Sequence, residues 1–402
     1  MTSLFDRNQF PMLQQKVHGK PLIYLDSAAT ALKPLAVIEA TSRYYAQEYG
    51  TVHRAIYAMA AHATENYSAV REQVARFIKA PSADQIIFTK GTTEAINLVA
   101  YSFGKAFIQP GDEVIITEME HHANIVPWQQ MCEERGAHLR IAPIDEEGNL
   151  QIDALAKLLN SRTKLVAVAH MSNVLGTINP IPLITEMAHA VGAKVLVDGA
   201  QAAAHMPIEV GDVDFYAFSG HKLFGPTGIG ILYGKKELLE ALPPYQTGGD
   251  MILAVSWEKT TFQAPPLKFE AGTPGIAAVM GLGAALSFVE AVGMEAIENH
   301  GKELLDIATE KLQAIPGVRI IGTAAHKGPI ITFTIDGIHP LDAAAFLDLK
   351  GIAIRSGHLC AQPLLRKFGL TAAMRLSLAP YNTASDITAF IEALDHLTLQ
   401  LK

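Results

Sequence analysis

Short apolar runs of β-forming residues alternate with segments of helical periodicity through the first two-thirds of the chain. Strands are predicted at residues 85–89, 113–117, 138–144, 165–170, 194–197 and 215–219. Helices are predicted between them at residues 93–107, 124–135, 152–159 and 181–191. This alternation is typical of β-α-β units, in which helices cover both faces of a mostly parallel sheet. Ligands of such sheets bind beyond the carboxyl ends of the strands, so candidate functional residues are expected there.

The pattern changes near residue 277, where a long helical region (277–314) begins that is interrupted around Gly293. Shorter elements follow: strands at 318–321, 330–335, 352–355 and 375–378, and helices at 340–350 and 385–400. We therefore predict an α/β protein with a large domain at residues 22–290. A smaller α+β domain is predicted from residues 1–21 and 291–402. A length of 402 residues agrees with two domains, because single hydrophobic cores rarely grow beyond about 250–300 residues.

Charge and composition exclude several classes of protein. A net charge of −8 and a pI near 6.0 argue against sequence-independent binding of nucleic acid, which needs a basic surface. The most apolar stretch, residues 276–289, is shorter than the roughly 18 residues of a membrane helix, and the amino terminus shows no secretory signal pattern. Cys132 and Cys360 are the only cysteines, so a disulfide framework is not expected. We expect a soluble protein of the reducing cytoplasm.

Lys222 lies just beyond a predicted strand, in the glycine-rich segment 219–228. A lysine at a strand end can form a Schiff base with an aldehyde, which is the covalent strategy of pyridoxal-phosphate enzymes. Ser219 and His221 flank it with donors that suit a phosphate. A lysine in a glycine-rich loop is also commonly an ordinary surface residue, so Lys222 alone decides nothing.

Asp198 directly follows the apolar strand at 194–197, and Gln201 comes three residues later. An aspartate there can pair with a protonated pyridine nitrogen, so that the ring accepts electrons, and Gln201 can donate to a ring hydroxyl. The alternative is an aspartate that caps the next turn.

Residues 91–93 combine a glycine and two hydroxyl groups at a predicted helix start, which is a natural site for an anion. Thr93 with Glu94 could equally be ordinary helix capping. After the strand at 113–117, His121 could stack on a cofactor ring and move protons. A metal site at His121 and His122 has no supporting ligand spacing, so no metal is expected.

Taken together, these motifs resemble the group II cysteine desulfurases, and more narrowly the type that serves the SUF system of iron–sulfur cluster assembly. The resemblance extends from residues 24–30 to residues 375–383, and its motifs are residues 120–124, 198–201, 219–222 and 355–361. It implies a pyridoxal 5'-phosphate enzyme of fold type I, like aspartate aminotransferase. It also implies a homodimer that converts L-cysteine to L-alanine and passes sulfur to an acceptor protein.

The resemblance also implies the roles of individual residues. Lys222 would form the Schiff base, Asp198 would face the pyridine nitrogen, and His121 would stack over the ring. The cofactor-binding residues would be Lys222, Asp198, Gln201, Thr92, Thr93, Ser219, His221, His121, Asn173 and, reaching in from the partner subunit, Thr273. The substrate-binding residues would be Arg375, Asn173, Arg355, His53 and Arg54, with the Arg375 guanidinium suited to clamping a carboxylate.

The expected catalytic residues are Lys222, His121 and Cys360. Lys222 would remove the α-proton of the substrate, and the Cys360 thiolate would attack its sulfur and hold it as a persulfide, with His358 and Arg355 as neighbours that could favour the thiolate. A cysteine can also be a small buried apolar residue, which is the interpretation kept for Cys132.

Two positions depart from the family pattern. Leu359 stands where the family often has a histidine, so the acid that assists sulfur transfer is left open, and Asp250 stands where glutamate is common. Selenocysteine lyase activity on the same scaffold is the nearest alternative function. An aminotransferase-like or hydrolytic enzyme would not need Cys360, and a non-catalytic regulator would not need Lys222 and Asp198.

Overall fold

The computed structural model describes residues 2–400. Its strands are β1 (Lys16–Val17), β2 (Lys20–Pro21), β3 (Ile23–Tyr24), β4 (Ile86–Thr89), β5 (Glu113–Thr117), β6 (His138–Ala142), β7 (Thr163–Ala169), β8 (Lys194–Asp198), β9 (Phe215–Ser219), β10 (Gly230–Gly234), β11 (Ile252–Val255), β12 (Thr260–Phe262), β13 (Val318–Ile321), β14 (Ile330–Ile335), β15 (Ile352–Ala353), β16 (Arg355–Gly357) and β17 (Ala373–Ser377). Its helices are α1 (Leu35–Arg43), α2 (Ala58–Phe77), α3 (Thr92–Phe107), α4 (Val126–Arg135), α5 (Ile152–Leu158), α6 (Ile181–Ala190), α7 (Lys236–Ala241), α8 (Ile276–Val292), α9 (Met294–Gln313), α10 (Pro340–Asp348), α11 (Gln362–Lys367) and α12 (Ala384–Gln400).

A seven-stranded sheet forms the centre of the larger part of the chain, in the order β4-β10-β9-β8-β7-β5-β6. The five strands from β9 to β6 are parallel, and β10 runs antiparallel to both of its neighbours. Every residue of β5 and β9 is buried, since helices lie on both faces of the sheet. The predicted mostly parallel sheet is therefore present, with one antiparallel strand added.

Strand β10 was not predicted from the sequence. Its three apolar residues stand between Gly230 and Gly234, which makes a strand assignment by propensity weak. Pairing with β9 and β4 stabilises it, as does the close approach at Gly230, where an added Cβ would lie 2.3 Å from the Cα of Gly91. The chain also forms a hairpin of β11 and β12 that was not predicted, with Trp257 fully exposed near its turn.

A second, antiparallel sheet has the strand order β13-β14-β17-β16 and packs with α9, α10 and α12 around its own apolar cluster. The break expected near Gly293 falls between α8 and α9, where Gly293 has a φ of 90°. The chain start contributes to this region, because β3 pairs with β15 and Leu25 belongs to the second cluster. The exact boundary between the two predicted domains stays a prediction.

No single helix among residues 2–400 is long and apolar enough to cross a membrane. Helices α8 and α9 meet that criterion only as a pair bent by 75°, on length and composition alone.

A buried ion pair between Arg71 of α2 and Glu270 connects α2 to the central sheet and to the segment before Thr273. The Arg71 guanidinium donates to both carboxylate oxygens of Glu270, at 2.6 and 2.9 Å. Glu270 also accepts from the Phe88 N–H at 2.8 Å and from the Tyr67 hydroxyl at 3.1 Å. Removing one partner of such a pair leaves an uncompensated buried charge.

We therefore expect Glu270→Ala to lower the free energy of unfolding by about 3–5 kcal/mol, as measured by urea denaturation. The matched control is Glu209→Ala, which removes an exposed ion pair with Lys79 and should cost less than about 1 kcal/mol. Equal losses in the two variants would contradict the structural role of the Arg71–Glu270 pair.

Candidate active site

A cavity of about 240 Å³ lies at the carboxyl ends of the parallel strands, next to the smaller sheet. Twelve of the residues predicted from the sequence line it: Thr92, Thr93, His121, Asn173, Asp198, Gln201, Ser219, His221, Lys222, Arg355, Cys360 and Arg375. They come from strand ends, loops and both sheets, so the fold brings together residues that are as much as 283 positions apart (375 − 92).

Asp198 and Lys222 are two charged residues that line the cavity. Asp198 is the last residue of β8 and is 6% exposed, and its Oδ1 accepts from the Ala200 N–H at 2.9 Å. Burial raises the pKa of Asp198, and the Lys222 charge opposes that change. Burial lowers the pKa of Lys222, and the Asp198 charge opposes that change in turn. A lysine with a depressed pKa is a better nucleophile toward an aldehyde near neutral pH.

His121 presents a neutral imidazole to the cavity. Burial, assisted by the charge of Lys222, lowers the pKa of His121 to about 3. Its Nδ1 accepts from the Ala123 N–H at 3.0 Å, so in the neutral ring the proton is assigned to Nε2. An uncharged ring fixed in one orientation is suited to stacking on a planar group.

The first turn of α3 forms an anion cradle with Ser219. The Ser219 Oγ accepts from the Thr92 N–H at 2.8 Å and lies 2.7 Å from the Thr92 hydroxyl. Thr93 follows at the helix start and is exposed toward the cavity. Free N–H groups and the positive end of the helix dipole favour a phosphate at this position.

His221 and Gln201 are tied to the N-terminal segment. The His221 Nδ1 lies 3.1 Å from the Thr30 hydroxyl, and burial, with the charges of Lys222 and Lys33, lowers the pKa of His221 to about 4. The Gln201 amide donates to the Ala28 carbonyl at 2.9 Å, which leaves one amide hydrogen for a ligand.

Arg375 reaches the cavity from β17 of the smaller sheet and is 3% exposed. It donates to Asp26 Oδ1 and to the Asn173 carbonyl, each at 2.9 Å. Its Nε is buried and has no hydrogen-bond partner among the described residues. Since a buried unpaired donor is costly, this atom fits a ligand that carries a carboxylate.

Cys360 lines the cavity and is half-buried, on the loop between β16 and α11. Its carbonyl accepts from the His122 N–H at 2.8 Å. Its negative form would interact favourably with Lys222 and Arg375, both of which are close enough for its charge to raise their pKa values.

Three predicted residues lie outside the cavity of the single chain, namely His53, Arg54 and Thr273. Arg54 donates to the carbonyls of Asp250 and Ile252 instead, and Thr273 lines a separate cavity of about 120 Å³. Their roles stay predictions. Cys132 is buried in an apolar cluster, and burial raises its pKa to about 11, so it remains a thiol.

The arrangement also brings His122, His358 and Cys360 together, with potential metal-ligand atoms within 4.8 Å of one another. Sequence spacing did not reveal this group. The His122 Nε2 accepts from the Gln362 N–H at 3.0 Å and the His358 Nδ1 from the Cys360 N–H at 3.3 Å, so the lone pairs of these nitrogens are in use. The expectation of no metal stays a prediction.

Two acids of the site were not assigned roles from the sequence. Asp26 pairs with Arg375, and only its position after an apolar run, residues 22–25, hints at a site. Glu120 is fully buried and accepts from the Thr117 hydroxyl, the Asn124 amide and the Ala169 N–H, at 2.6, 2.7 and 3.0 Å. Burial raises the pKa of Glu120 to about 7, against the effect of these donors.

This raised pKa predicts a pH dependence of stability. Between its ordinary pKa of 4.5 and about 7, the folded protein keeps a proton on Glu120 that the unfolded chain has released. The free energy of unfolding should therefore fall as pH rises through this window, by up to about 3 kcal/mol from this group. Glu120→Gln removes the titration, so its stability relative to wild type should grow between pH 5 and 8 in urea denaturation. A constant difference across this range would contradict the raised pKa.

The residues of the cavity fit pyridoxal phosphate. Lys222 supplies an amine for its aldehyde, Asp198 an acid for its pyridine nitrogen, His121 a flat neutral ring, and the α3 cradle a phosphate site. Beside this cradle, the backbones of Gly91 and Gly230 lie so close together that a side chain at Gly230 would collide with the Gly91 backbone.

Comparisons with known proteins agree with this fit. Residues 23–390 match the family model described as aminotransferase class-V. A cysteine desulfurase from Dickeya dadantii is 51% identical over 394 residues, which cover 97% of this chain and 95% of that protein. The crystal structure of the Escherichia coli cysteine desulfurase CsdA superposes with a TM-score of 0.91 at 44% identity, covering 98% of both chains.

Other relatives are longer than this chain. A probable cysteine desulfurase 1 from Mycobacterium leprae is 51% identical over 397 residues, which are 97% of this chain and 65% of that protein. Two further relatives, also named as cysteine desulfurases, are covered over 62% and 57% of their length.

These similarities extend over nearly the whole chain and coincide with a cavity that fits the cofactor. The fold is that of the fold-type-I pyridoxal-phosphate enzymes, as expected from the sequence. The chain belongs to the aminotransferase class-V family, whose cofactor is pyridoxal phosphate.

Proposed function

We propose that this protein is a cysteine desulfurase, which releases L-alanine from L-cysteine and retains the sulfur on Cys360. One observation carries the proposal: Cys360 lines the same cavity as Lys222 and Arg375. An aminotransferase that only exchanges amino groups has no use for a thiol at that position. The names of the relatives described above support the same activity.

Arg375 binds the substrate carboxylate in this mechanism. Two of its nitrogens are held by Asp26 and by the Asn173 carbonyl, and the unpartnered Nε is free to donate to the carboxylate. Because the guanidinium is buried and fixed at two points, it orients the substrate with little loss of side-chain freedom on binding.

Lys222 moves the substrate proton. When bound, pyridoxal phosphate provides an aldehyde for amino groups and accepts electrons from the substrate, which weakens the carbon–sulfur bond. Lys222 lines the cavity near the charge of Asp198, and its depressed pKa lets it take the α-proton as a neutral amine.

Cys360 receives the sulfur. Its thiolate attacks the substrate sulfur, so that a sulfur–sulfur bond forms while the carbon–sulfur bond breaks and the electron pair stays with the substrate carbon. The product is a persulfide on Cys360, and the carbon, after gaining a proton, becomes the methyl group of alanine. His121 is a candidate to hold that proton, since it lines the cavity and its Nε2 hydrogen is free of protein acceptors in the described residues.

The Cys360→Ala variant tests this function. We expect alanine release from L-cysteine, with a thiol reductant present, to fall by roughly two orders of magnitude or more, because the sulfur acceptor is lost. The matched control is Cys132→Ala, which removes the buried thiol and should keep the wild-type rate. Wild-type rates in Cys360→Ala would contradict the persulfide mechanism. Alanine release from L-selenocysteine that survives in Cys360→Ala would instead favour selenocysteine lyase activity.

We further propose a homodimer in which Thr273 of one subunit completes the phosphate site of its partner. The observation behind it is that the cradle of Thr92, Thr93 and Ser219 lies in one cavity while Thr273 lines another. Trp257 is fully exposed on the β11–β12 hairpin, which suits a surface that a second copy covers.

Subunit mixing tests this arrangement. Lys222→Ala and Thr273→Glu should each be nearly inactive alone, the second because its carboxylate repels the phosphate. Co-expressed, they form mixed dimers with one intact site, which should restore about a quarter of the wild-type activity. The control pairs Lys222→Ala with the Lys222→Ala/Thr273→Glu double variant and should restore nothing. If the activity of the first co-expressed pair does not exceed the mean activity of the two single variants, the shared site is contradicted.

The same proposal extends to the sulfur acceptor and the cellular setting. We propose that the persulfide passes to an acceptor protein of a SUF-type iron–sulfur assembly system, in the cytoplasm. The intermediate exposure of Cys360 supports transfer to a protein, because a deeply buried sulfur could not be reached by a second chain.

A further inference from the structure

The loop that carries Cys360 has an unfavourable backbone conformation. Leu359 and Cys360 both have a φ of 55°, which places two successive residues with side chains in the left-handed region. Residues other than glycine, asparagine and aspartate seldom adopt this conformation, and they keep it only where the surrounding structure stabilises it. The contacts that hold this loop therefore determine where the Cys360 sulfur lies.

Two hydrogen bonds hold the loop backbone against the large domain. The Asn173 amide donates to the Leu359 carbonyl at 2.8 Å, and the His122 N–H donates to the Cys360 carbonyl at 2.8 Å. The Gln362 N–H donates to the His122 side chain at 3.0 Å just after the loop.

The Leu359 side chain provides a third attachment of a different kind. It is 5% exposed and belongs to the largest apolar cluster, which includes Met171 and Val174 of the large domain and also Ala361 and Leu364 just after the loop. Its neighbours point elsewhere, since His358 is exposed and Cys360 is intermediate. Burial of one residue between two accessible ones orients the loop, because Leu359 cannot leave the cluster without exposing its apolar surface to water.

We propose that Leu359 is a positioning residue, whose burial in this apolar cluster keeps Cys360 aimed into the cavity. Leu359 also lines the cavity, so position 359 acts there through apolar packing. The effect on turnover rests on the proposed desulfurase function, whereas the effect on the loop does not.

The test compares Leu359→Ala and Leu359→Gly with wild-type holoenzyme in two measurements. The first is the alkylation rate of Cys360 by iodoacetamide, read by mass spectrometry of its peptide. The second is alanine release from L-cysteine. A loosened loop exposes the thiol but misplaces it, so alkylation should rise about threefold or more while kcat falls about tenfold. Partial unfolding would change both rates in the same directions, so the two controls below separate it from a displaced loop.

Two controls separate positioning from general destabilisation. Leu359→Met keeps the apolar volume and should restore both rates to near wild type. Leu155→Ala truncates a 1% exposed leucine of the same apolar cluster, on α5, and should lower the thermal unfolding temperature without changing either rate.

The Leu359→Gly variant is the most stringent test, because glycine lacks the apolar side chain but adopts a φ of 55° without strain. Wild-type alkylation and kcat in that variant would show that the hydrogen bonds alone hold the loop, and would overturn the proposal. Equal effects of Leu155→Ala and Leu359→Ala would overturn it as well. If no protein releases alanine, the desulfurase function fails, and the alkylation rates still decide the role of Leu359.

Discussion

The site depends on the attraction between the charges of Asp198 and Lys222, which lie at the carboxyl edge of the parallel sheet. Asp198 is buried and Lys222 is half-buried, and each charge offsets part of the desolvation cost of the other. The pair can exist only because β8 and β9 are adjacent and parallel, so that Asp198 ends one strand and Lys222 follows the end of the next. The cradle at α3 completes the same edge, since β10 places Gly230 directly against Gly91.

The smaller sheet contributes the groups that face this edge. Arg375 on β17 is connected to Asp26 of the N-terminal segment and to the Asn173 loop of the large domain. Asn173 in turn donates to the Leu359 carbonyl, so the anion-binding residue and the thiol loop share one neighbour. Such coupling suits a reaction in which the thiol must meet the sulfur of a substrate whose carboxylate is held at Arg375.

Most of the fold and much of the site could be predicted from the sequence. Strands β5, β7, β8 and β9 are short apolar runs with helices between them, and their periodicity is a local property. Lys222, Asp198 and Cys360 follow strands and share motifs with a known family, so their place at the sheet edge could be foreseen. Strand β10 could not, because glycines bound it and only its pairing with β4 and β9 stabilises it. His53, Arg54 and Thr273 lie outside the cavity of the single chain, so their predicted roles depend on a second subunit.

The sequence by itself determined which chemical groups stand at the ends of which strands, because side-chain type and hydrophobic period are encoded residue by residue. Only the tertiary structure decided how those groups behave. The raised pKa of Glu120 and the neutral imidazole of His121 arise from burial, which no local pattern reports. The partnership of Asp26 with Arg375 joins residues 349 positions apart. Leu359 is the clearest case: comparison with the family pattern suggests a lost proton carrier, whereas its burial makes it part of the apolar core.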